Sequence, residues 1–275
     1  MPLLIGILIC AVVFGVCIYV GPLPEQYRWI IHRNFAHRGY YLKDQTIPEN
    51  SLAAFIRARD AGYGIELDVQ MTKDQQIVVF HDDHLTRMVT STPAATWPIT
   101  KLAYAELKGY ELGSSKEHIP LLKEVLHAVN GTVPLYIEVK YFKTDCDVLC
   151  AGLLKIMEGY AGNYAIASFN PYVLHYFRVH APQIMRIQIA QNLKKTKQPL
   201  LQKIILENLL LNFWSKPHAI SYQYNATGLS FHLLKWWKTY TLGWSIPSIE
   251  EYQKYQGYFD SIVFEQFAAS QFKQS

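Results

Sequence analysis

Charge is scarce in this sequence: Asp, Glu, Lys and Arg make up 17% of its 275 residues, and the formal net charge is only +4. Nucleic-acid-binding domains carry a concentrated basic face, so this balance argues against nucleic acid as a partner. Hydrophobic residues reach 50%, which excludes a disordered chain. Internal repeats and low-complexity tracts are also missing. The length and composition therefore indicate one barrel-sized domain with a short additional element, and the mild positive charge fits an anionic small substrate or a membrane surface.

Cysteine is also rare. Two of the four cysteines lie in the N-terminal apolar run, and the other two, Cys146 and Cys150, are four residues apart on a predicted helix. No matching His/Cys pair lies nearby in the sequence, so we expect free thiols rather than a disulfide or a metal pair. Reduced thiols fit a cytoplasmic domain.

No charged residue occurs in the N-terminal run LLIGILICAVVFGVCIYVG, residues 3–21. At about 1.5 Å per residue, this run is long enough to cross a hydrocarbon core of about 30 Å. A cleaved signal peptide is the alternative, but no Lys or Arg precedes the run and no clear cleavage site follows it. We therefore predict a single-pass transmembrane anchor at residues 1–22 and a linker at residues 23–33. The arginines that follow favour a cytoplasmic catalytic domain.

From residue 34 onward, strand-like apolar segments alternate with amphipathic helices. The candidate strands are residues 34–39, 64–69, 77–82, 135–140, 164–169, 185–190, 218–224, 242–246 and 261–265. This alternation predicts an α/β fold, a (β/α)8 TIM-type barrel over residues 34–275, with one of the nine candidates as a short extra strand or a false assignment. The link between the second and third candidates is too short for a helix and is expected to be a turn.

Polar residues gather near the ends of these strands, where α/β barrels place their active sites. His37 and His81 each follow an apolar segment. Because side chains alternate along a strand, Glu66 and Asp68 project to one side. Their oxygens suit a hard divalent cation such as Mg²⁺ or Ca²⁺. A single histidine is more often structural, but two histidines beside paired carboxylates indicate metal-assisted acid/base chemistry on an anionic substrate.

The segment LYIEVK adds another carboxylate and a cation. Glu138 and Lys140 are two residues apart and are expected to share the inward face of their strand. An ion pair at a strand end is the simpler interpretation.

Five short motifs occur in a recognisable order: AHRG, PENS, ELDV, VVFHD and YIEVK. In this order they resemble the glycerophosphodiester phosphodiesterase family, and they are more distantly similar to phosphatidylinositol-specific phospholipases and sphingomyelinase D enzymes. The resemblance extends from about Asn34 to Phe267. It implies that the acid/base pair is His37 and His81, with their individual roles left open.

The resemblance also implies the other site residues. One divalent cation, Mg²⁺ or Ca²⁺, would be held by Glu66, Asp68 and Glu138. Arg38 and Lys140 would then face the substrate phosphate, where a guanidinium can form two charge-assisted hydrogen bonds.

Two residues allow more than one interpretation. Asn50 is either part of a helix cap or a substrate contact, and Trp244 either lines the substrate pocket or belongs to the core. The last strand, SIVFEQF, departs from the Thr-Asp-x-Pro ending usual in the family. We expect this departure to change the local turn and not the chemistry.

The sequence therefore predicts a membrane-tethered, metal-dependent phosphodiesterase that cleaves glycerophosphodiesters or lysophospholipids. The alternative is a catalytically silent relative that binds lipid head groups. The apolar segment 198–217 is either a barrel helix buried against the sheet or a lid that dips into the membrane interface beside the site.

Overall fold

The computed structural model describes residues 1–89, 96–142, 145–194 and 196–267. The strands in these ranges are β1 (Asn34–Ala36), β2 (Gly64–Met71), β3 (Ile77–Val79), β4 (Leu135–Val139), β5 (Tyr164–Ser168), β6 (Met185–Ala190), β7 (Ala219–Gln223), β8 (Tyr240–Ile246) and β9 (Ser261–Phe264). The α-helices are α1 (Pro2–Ile18), α2 (Leu52–Asp60), α3 (Tyr104–Leu107), α4 (Leu122–Val129), α5 (Cys146–Met157), α6 (Pro171–His180), α7 (Leu200–Glu207), α8 (Asn212–Ser215), α9 (Leu229–Trp236) and α10 (Ile249–Tyr255). Residues 268–275 of the predicted barrel domain lie outside the described ranges.

Eight strands form a closed parallel barrel in the order β1, β2, β4, β5, β6, β7, β8 and β9. The first strand closes the ring because it pairs with both β2 and β9, with Phe35 opposite Gly64 and Ala36 opposite Phe264. Every residue of β2 is buried, as expected for a strand covered on both faces. The TIM-type barrel predicted from the alternating segments is confirmed.

The remaining strand, β3, lies outside the barrel. It is the short extra strand that the sequence predicted among the nine candidates. It pairs antiparallel with β2, with Val69 opposite Val79 and Met71 opposite Ile77. A link of five residues cannot form the long crossover that a parallel connection needs. The segment 77–82 is therefore not a barrel strand. The pairing of β2 with β4 ends at Val69, and β3 pairs instead with the C-terminal end of β2 that extends beyond this point.

The predicted linker packs against the N-terminal end of the barrel. A 3₁₀ helix over Glu25–Ile30 buries Tyr27 and Ile30. The hydroxyl of Tyr240, the first residue of β8, donates to the carbonyl of Ile30 at 3.0 Å. This end of the barrel is closed, so the opposite end, where the strands terminate, is the one available to a substrate.

The N-terminal apolar run forms α1, which ends at Ile18 because Tyr19 adopts extended backbone angles. None of the helices in the described part of the chain combines the length and apolarity needed to cross a membrane, so the predicted transmembrane anchor is not supported. The carbonyl of Ile18 accepts a hydrogen bond from Asn212 at 2.9 Å. The carbonyl of Val20 accepts another from Thr239, which precedes β8, at 2.7 Å. These contacts attach α1 near the closed end of the barrel.

The apolar segment 198–217 forms two helices rather than one. In α7 no residue is fully buried, and the side chains of Leu200 and Leu201 are 74% and 69% exposed. In α8, by contrast, Asn212 and Ser215 are buried, and the helix packs against α6 and α1. The buried-helix interpretation is therefore wrong for α7.

Candidate active site

The turn after β1 places His37 and Arg38 at the C-terminal rim of the barrel, the edge where the parallel strands end. The backbone N–H of His37 continues the pairing with β9 by donating to Phe264 at 2.9 Å. Arg38 and Gly39 then both adopt left-handed backbone angles. A Cβ atom on Gly39 would lie 2.9 Å from the Cβ of Ala54, closer than real side chains approach, so only glycine fits this turn.

Three carboxylates meet just inside this rim, and we call Glu66, Asp68 and Glu138 the acidic cluster. Asp68 and Glu138 are directly opposite each other on β2 and β4. One oxygen from each of the three lies within 4.8 Å of the others, and all three residues are buried. The three carboxylates thus lie close enough together to hold one metal ion, while their role as metal ligands stays a prediction.

The electrostatics of the acidic cluster fit a divalent cation. Burial, with Asp68 and Glu138 nearby, raises the pKa of the Glu66 carboxyl well above its ordinary value. The Oδ1 atom of Asp68 is buried without a hydrogen bond. A hard cation such as Mg²⁺ or Ca²⁺ would relieve this repulsion and bind to this oxygen, which otherwise lies in an ion pair with Nζ of Lys140.

Lys140 approaches two members of the acidic cluster. Its Nζ lies 2.5 Å from Oε1 of Glu138 and 3.1 Å from Oδ1 of Asp68. Burial alone would lower the pKa of Lys140, but the two carboxylates outweigh it and raise that pKa. Lys140 therefore forms the ion pair at the strand end and lies beside the acidic cluster, while its contact with a substrate phosphate stays a prediction.

Arg38 lies on another side of the same cluster. Its backbone N–H donates to Glu66 at 2.7 Å, and its Nη1 donates to Glu49 at 2.6 Å. Its Nε is buried without a hydrogen bond and lies 3.6 Å from Oδ2 of Asp68. The guanidinium thus has one buried donor that the described residues do not use.

Asn50 supports Asp68. Its Nδ2 donates to Oδ2 of Asp68 at 2.8 Å, and its Oδ1 accepts from the Asp68 backbone N–H at 3.3 Å. The cap of α2 is the neighbouring Ser51, whose hydroxyl accepts from the N–H of Ala54. Asn50 is therefore part of the site and not the helix cap, while its contact with a substrate stays a prediction.

His81 reaches the cluster because β3 folds back towards the rim. Burial works against ionisation of Asp68, but Lys140, His81 and Arg38 hold the pKa of its carboxyl far below the usual range. The Nδ1 of His81 lies 2.6 Å from Oδ1 of Asp82.

A polar chain leads away from His81. Asp82 accepts from Nε of Arg87 at 2.7 Å, and Arg87 also donates to both oxygens of Glu49. Sequence reasoning missed Asp82 and Arg87, although Asp82 is visible beside His81 in the motif VVFHD. Nothing local in the sequence connects Arg87 with Glu49.

Trp244 and Glu265 complete the site near His37. Trp244 lines the same cavity as His37, Glu66 and Glu138, which agrees with the pocket interpretation of this residue. Oε1 of Glu265 lies 3.5 Å from Nδ1 of His37. The last strand segment therefore brings a carboxylate beside a proposed catalytic histidine, while the expectation that its unusual sequence does not change the chemistry stays a prediction.

Residues 37–233 match the model of the glycerophosphoryl diester phosphodiesterase family, which is more than half of the chain. The chain belongs to this family. The matched region contains both histidines, Arg38, the acidic cluster and Lys140, whereas Trp244 and Glu265 lie beyond it.

Individual relatives carry related names. The chain is 33% identical over 159 residues to a glycerophosphodiester phosphodiesterase of Caldanaerobacter subterraneus subsp. tengcongensis, a match that covers 54% of this chain and 63% of that protein. It is 33% identical over 123 residues to the human lysophospholipase D GDPD1, covering 40% of this chain and 37% of the relative. The chain thus spans less than two thirds of the length of these curated relatives.

The barrel is also similar to solved structures. A phosphodiesterase of Oleispira antarctica, in complex with the product sn-glycerol-3-phosphate, aligns with a TM-score of 0.72 over 89% of this chain and 96% of that one, at 23% identity. A putative glycerophosphodiester phosphodiesterase of Galdieria sulphuraria aligns with a TM-score of 0.69 over 86% and 94%, at 21% identity. At such identities the likeness shows the fold.

Proposed function

We propose that this protein is a metal-dependent glycerophosphodiester phosphodiesterase in which His37 and His81 carry out acid/base catalysis. The supporting observation is the convergence of two histidines, two cations and three buried carboxylates at the open rim of one barrel. These groups come from the turn after β1, from β2, from the segment after β3 and from the end of β4, and together they supply what phosphodiester cleavage needs.

The substrate phosphate would bind beside the acidic cluster. Arg38 offers its buried, unbonded Nε, and Lys140 offers its ammonium group. Glu66, Asp68 and Glu138 would hold the divalent cation, and the bound ion would supply positive charge to the phosphoryl oxygens. Arg38 and Lys140 would add to this stabilisation as charge builds on those oxygens in the transition state.

The two histidines would move the protons. One imidazole accepts a proton from the attacking hydroxyl, and the other donates a proton to the leaving oxygen. The attacking group is water or the free glycerol hydroxyl of the substrate, and the latter gives a cyclic phosphate. Each ring has a carboxylate at Nδ1, Glu265 for His37 and Asp82 for His81. Such contacts leave Nε2 of each ring for the substrate.

The silent, head-group-binding alternative has less support. A relative without activity is expected to lack at least one ligand or histidine, whereas the complete set is present in this chain and lies in one site.

The decisive assay measures choline or glycerol 3-phosphate release from glycerophosphocholine with added Mg²⁺ or Ca²⁺. We expect turnover that chelation abolishes and the metal restores. Binding of the metal alone, measured by calorimetry, should be lost in Asp68→Asn and kept in the control Glu158→Gln, which changes an exposed carboxylate. Head-group binding without product release by the wild type would favour the silent alternative.

A lysophospholipid substrate is a second candidate that rests on α7. This helix follows β6 on the rim side of the barrel and exposes Leu200, Leu201 and Ile204. An acyl chain leaving the site would find an apolar surface there. The name of the human relative, a lysophospholipase D, agrees with this substrate class.

The double variant Leu200→Ser/Leu201→Ser tests this candidate. Since both side chains are exposed, the change should leave folding intact. We expect kcat/KM to fall for lysophosphatidylcholine and to stay unchanged for glycerophosphocholine. Val179→Ser is the matched control, because Val179 is 57% exposed at the far end of α6. An equal effect on both substrates would remove support for the acyl-chain contact.

A further inference from the structure

Glu265 and His37 are brought together by the strand pairing that closes the barrel. Ala36 on β1 is opposite Phe264 on β9, and the next residue of each strand is His37 and Glu265. The backbone N–H of His37 donates to Phe264 at 2.9 Å, and that of Glu265 donates to Ile246 at 2.9 Å. The two side chains therefore leave neighbouring, hydrogen-bonded backbones at the rim.

The carboxylate of Glu265 has hydrogen-bond donors besides the neighbouring imidazole. The hydroxyl of Tyr41 forms a short hydrogen bond to its Oε1. That hydroxyl also accepts from Nε2 of Gln266 at 2.9 Å, so its own proton is directed to Glu265. Oε2 of Glu265 accepts from the hydroxyl of Ser245 at 3.4 Å. Two hydroxyls thus each donate to one oxygen of this carboxylate and fix its direction.

The charges of these groups agree with that geometry. Burial alone would raise the pKa of Glu265, but His37 and Tyr41 lower it to about 2, so the carboxylate is ionised. Burial and the neighbouring Glu265 raise the pKa of Tyr41, so its hydroxyl stays protonated. Glu265 is therefore a negatively charged hydrogen-bond acceptor, and Tyr41 is the neutral donor bound to it.

Among the residues that the structure describes, Glu265 is the one recorded partner of Nδ1 of His37. This nitrogen is buried without a hydrogen bond, and its 3.5 Å separation from Oε1 of Glu265 is an ion-pair distance longer than an ordinary hydrogen bond. Hydrogen bonds of acid/base groups are often long in a free enzyme and shorten when the substrate binds. A carboxylate at Nδ1 holds the proton on that nitrogen and leaves Nε2 free to face the reacting group.

We propose that Glu265, oriented by Tyr41, is the positioning residue that sets the ring orientation and the tautomer of His37. The kinetic consequence of this inference rests on the proposed function, whereas the tautomer of the His37 ring does not depend on it. The partner of His81 is Asp82, the next residue in the sequence. The partner of His37 is Glu265, which comes beside it because β1 pairs with β9 and closes the barrel.

The first arm of the test is spectroscopic and independent of activity. The ¹⁵N shifts of the His37 ring, assigned with His37→Gln, should report a proton on Nδ1 in the wild-type protein with Mg²⁺. In Glu265→Gln the amide can donate to Nδ1, so the proton should move to Nε2, whereas Glu265→Asp should retain the wild-type tautomer. Unchanged shifts in Glu265→Gln would overturn the proposal, even if its activity falls.

The second arm measures turnover of glycerophosphocholine. We expect kcat to fall about 10-fold to 100-fold in Glu265→Gln with little change in KM, and to recover partly in Glu265→Asp. Tyr41→Phe should lower kcat about fivefold, the factor expected for one lost hydrogen bond. Wild-type kcat in Glu265→Gln would also overturn the proposal. If Glu265→Gln does not fold, the shifts and kcat of Tyr41→Phe decide, and wild-type values for both would reject the idea.

The two arms separate this inference from the proposed function. A wild-type protein that cleaves no glycerophosphodiester contradicts the function, while the ¹⁵N shifts still decide whether Glu265 sets the state of His37.

Discussion

Asp82 places one carboxylate oxygen 2.6 Å from Nδ1 of His81. Its other oxygen accepts from Arg87, which also binds both oxygens of Glu49. Glu49 in turn accepts from Arg38 at 2.6 Å. Burial and the bonds to His81 and Arg87 act in opposite directions on Asp82, and the bonds prevail, lowering its pKa. One chain of charge-assisted hydrogen bonds therefore links a proposed acid/base residue to a proposed phosphate-binding one.

Arg87→Gln should lower kcat about 10-fold to 100-fold, because the hydrogen bonds through Arg87 then no longer fix the positions of His81 and Arg38 relative to each other. Its guanidinium bonds to Glu49 raise the pKa of Arg87, so the wild-type bridge is fully charged. Arg87→Lys should restore little, since an ammonium group cannot span both carboxylates in the same geometry. Steady-state kinetics with glycerophosphocholine measure the effect.

Arg28→Gln is the control for Arg87. Arg28 is exposed and its recorded ion-pair partner in the described part of the chain is Glu25, three residues away, so its loss should not change turnover. Equal kcat values for Arg87→Gln and Arg28→Gln would contradict a positioning role for the hydrogen bonds that Arg87 makes.

His37→Ala and His81→Ala should each lower kcat by about 100-fold or more, as expected for loss of general acid/base catalysis. Circular dichroism should show native folding for both, because neither ring belongs to the buried core. Near-native turnover by both folded variants would mean that other groups transfer the protons.

Removal of the metal should abolish activity. After exhaustive chelation we expect no turnover, and addition of Mg²⁺ or Ca²⁺ should restore it in proportion to the metal bound, as elemental analysis would show. Glu66→Gln should bind less metal, because an amide has one oxygen and no charge. Full activity in a metal-free sample would rule out the proposed role of the acidic cluster.

His218 should make stability depend on pH. Burial and the nearby Arg186 lower the pKa of His218 from 6.5 to about 3. The unfolded chain therefore binds this proton first, and the free energy of unfolding falls as the pH drops from about 6.5 towards 3. At about 1.4 kcal/mol per pH unit, the loss between pH 6.5 and pH 4 is roughly 3 to 4 kcal/mol. Denaturant titrations between pH 7 and pH 4 measure it.

His218→Asn removes the titrating group but keeps an acceptor for the Arg186 backbone N–H, which donates to Nδ1 of His218 at 3.0 Å. The stability difference between wild type and His218→Asn should therefore shrink or reverse as the pH falls. His232→Asn, which changes an exposed histidine, should leave the pH dependence as it is. A difference that stays constant with pH would disprove the assignment to His218.

Several parts of the site were predictable because they depend on local patterns. All nine candidate strands form, and Glu66 and Asp68 share a face because side chains alternate along β2. The pairing of Asp68 with Glu138 follows once β2 and β4 are neighbours in a parallel barrel. The family motifs added the roles that chemistry alone left open.

Local pattern was less reliable at the two apolar segments outside the barrel strands. The N-terminal run is apolar throughout, but α1 ends at Ile18. In the segment 198–217, apolar spacing did not distinguish exposed α7 from packed α8, because hydrophobicity alone does not say which neighbours will cover a helix.

The sequence by itself determined the alternation of strands and helices, the residue types of the site and the face on which each strand carries them, because these follow from spacing along a few residues. Only the tertiary structure decided that β3 is antiparallel to β2 and so brings His81 to the rim, that Arg87 binds Glu49, and that Glu265 lies beside His37. These contacts join segments far apart in the chain. They depend on barrel closure and strand register, which local spacing does not encode.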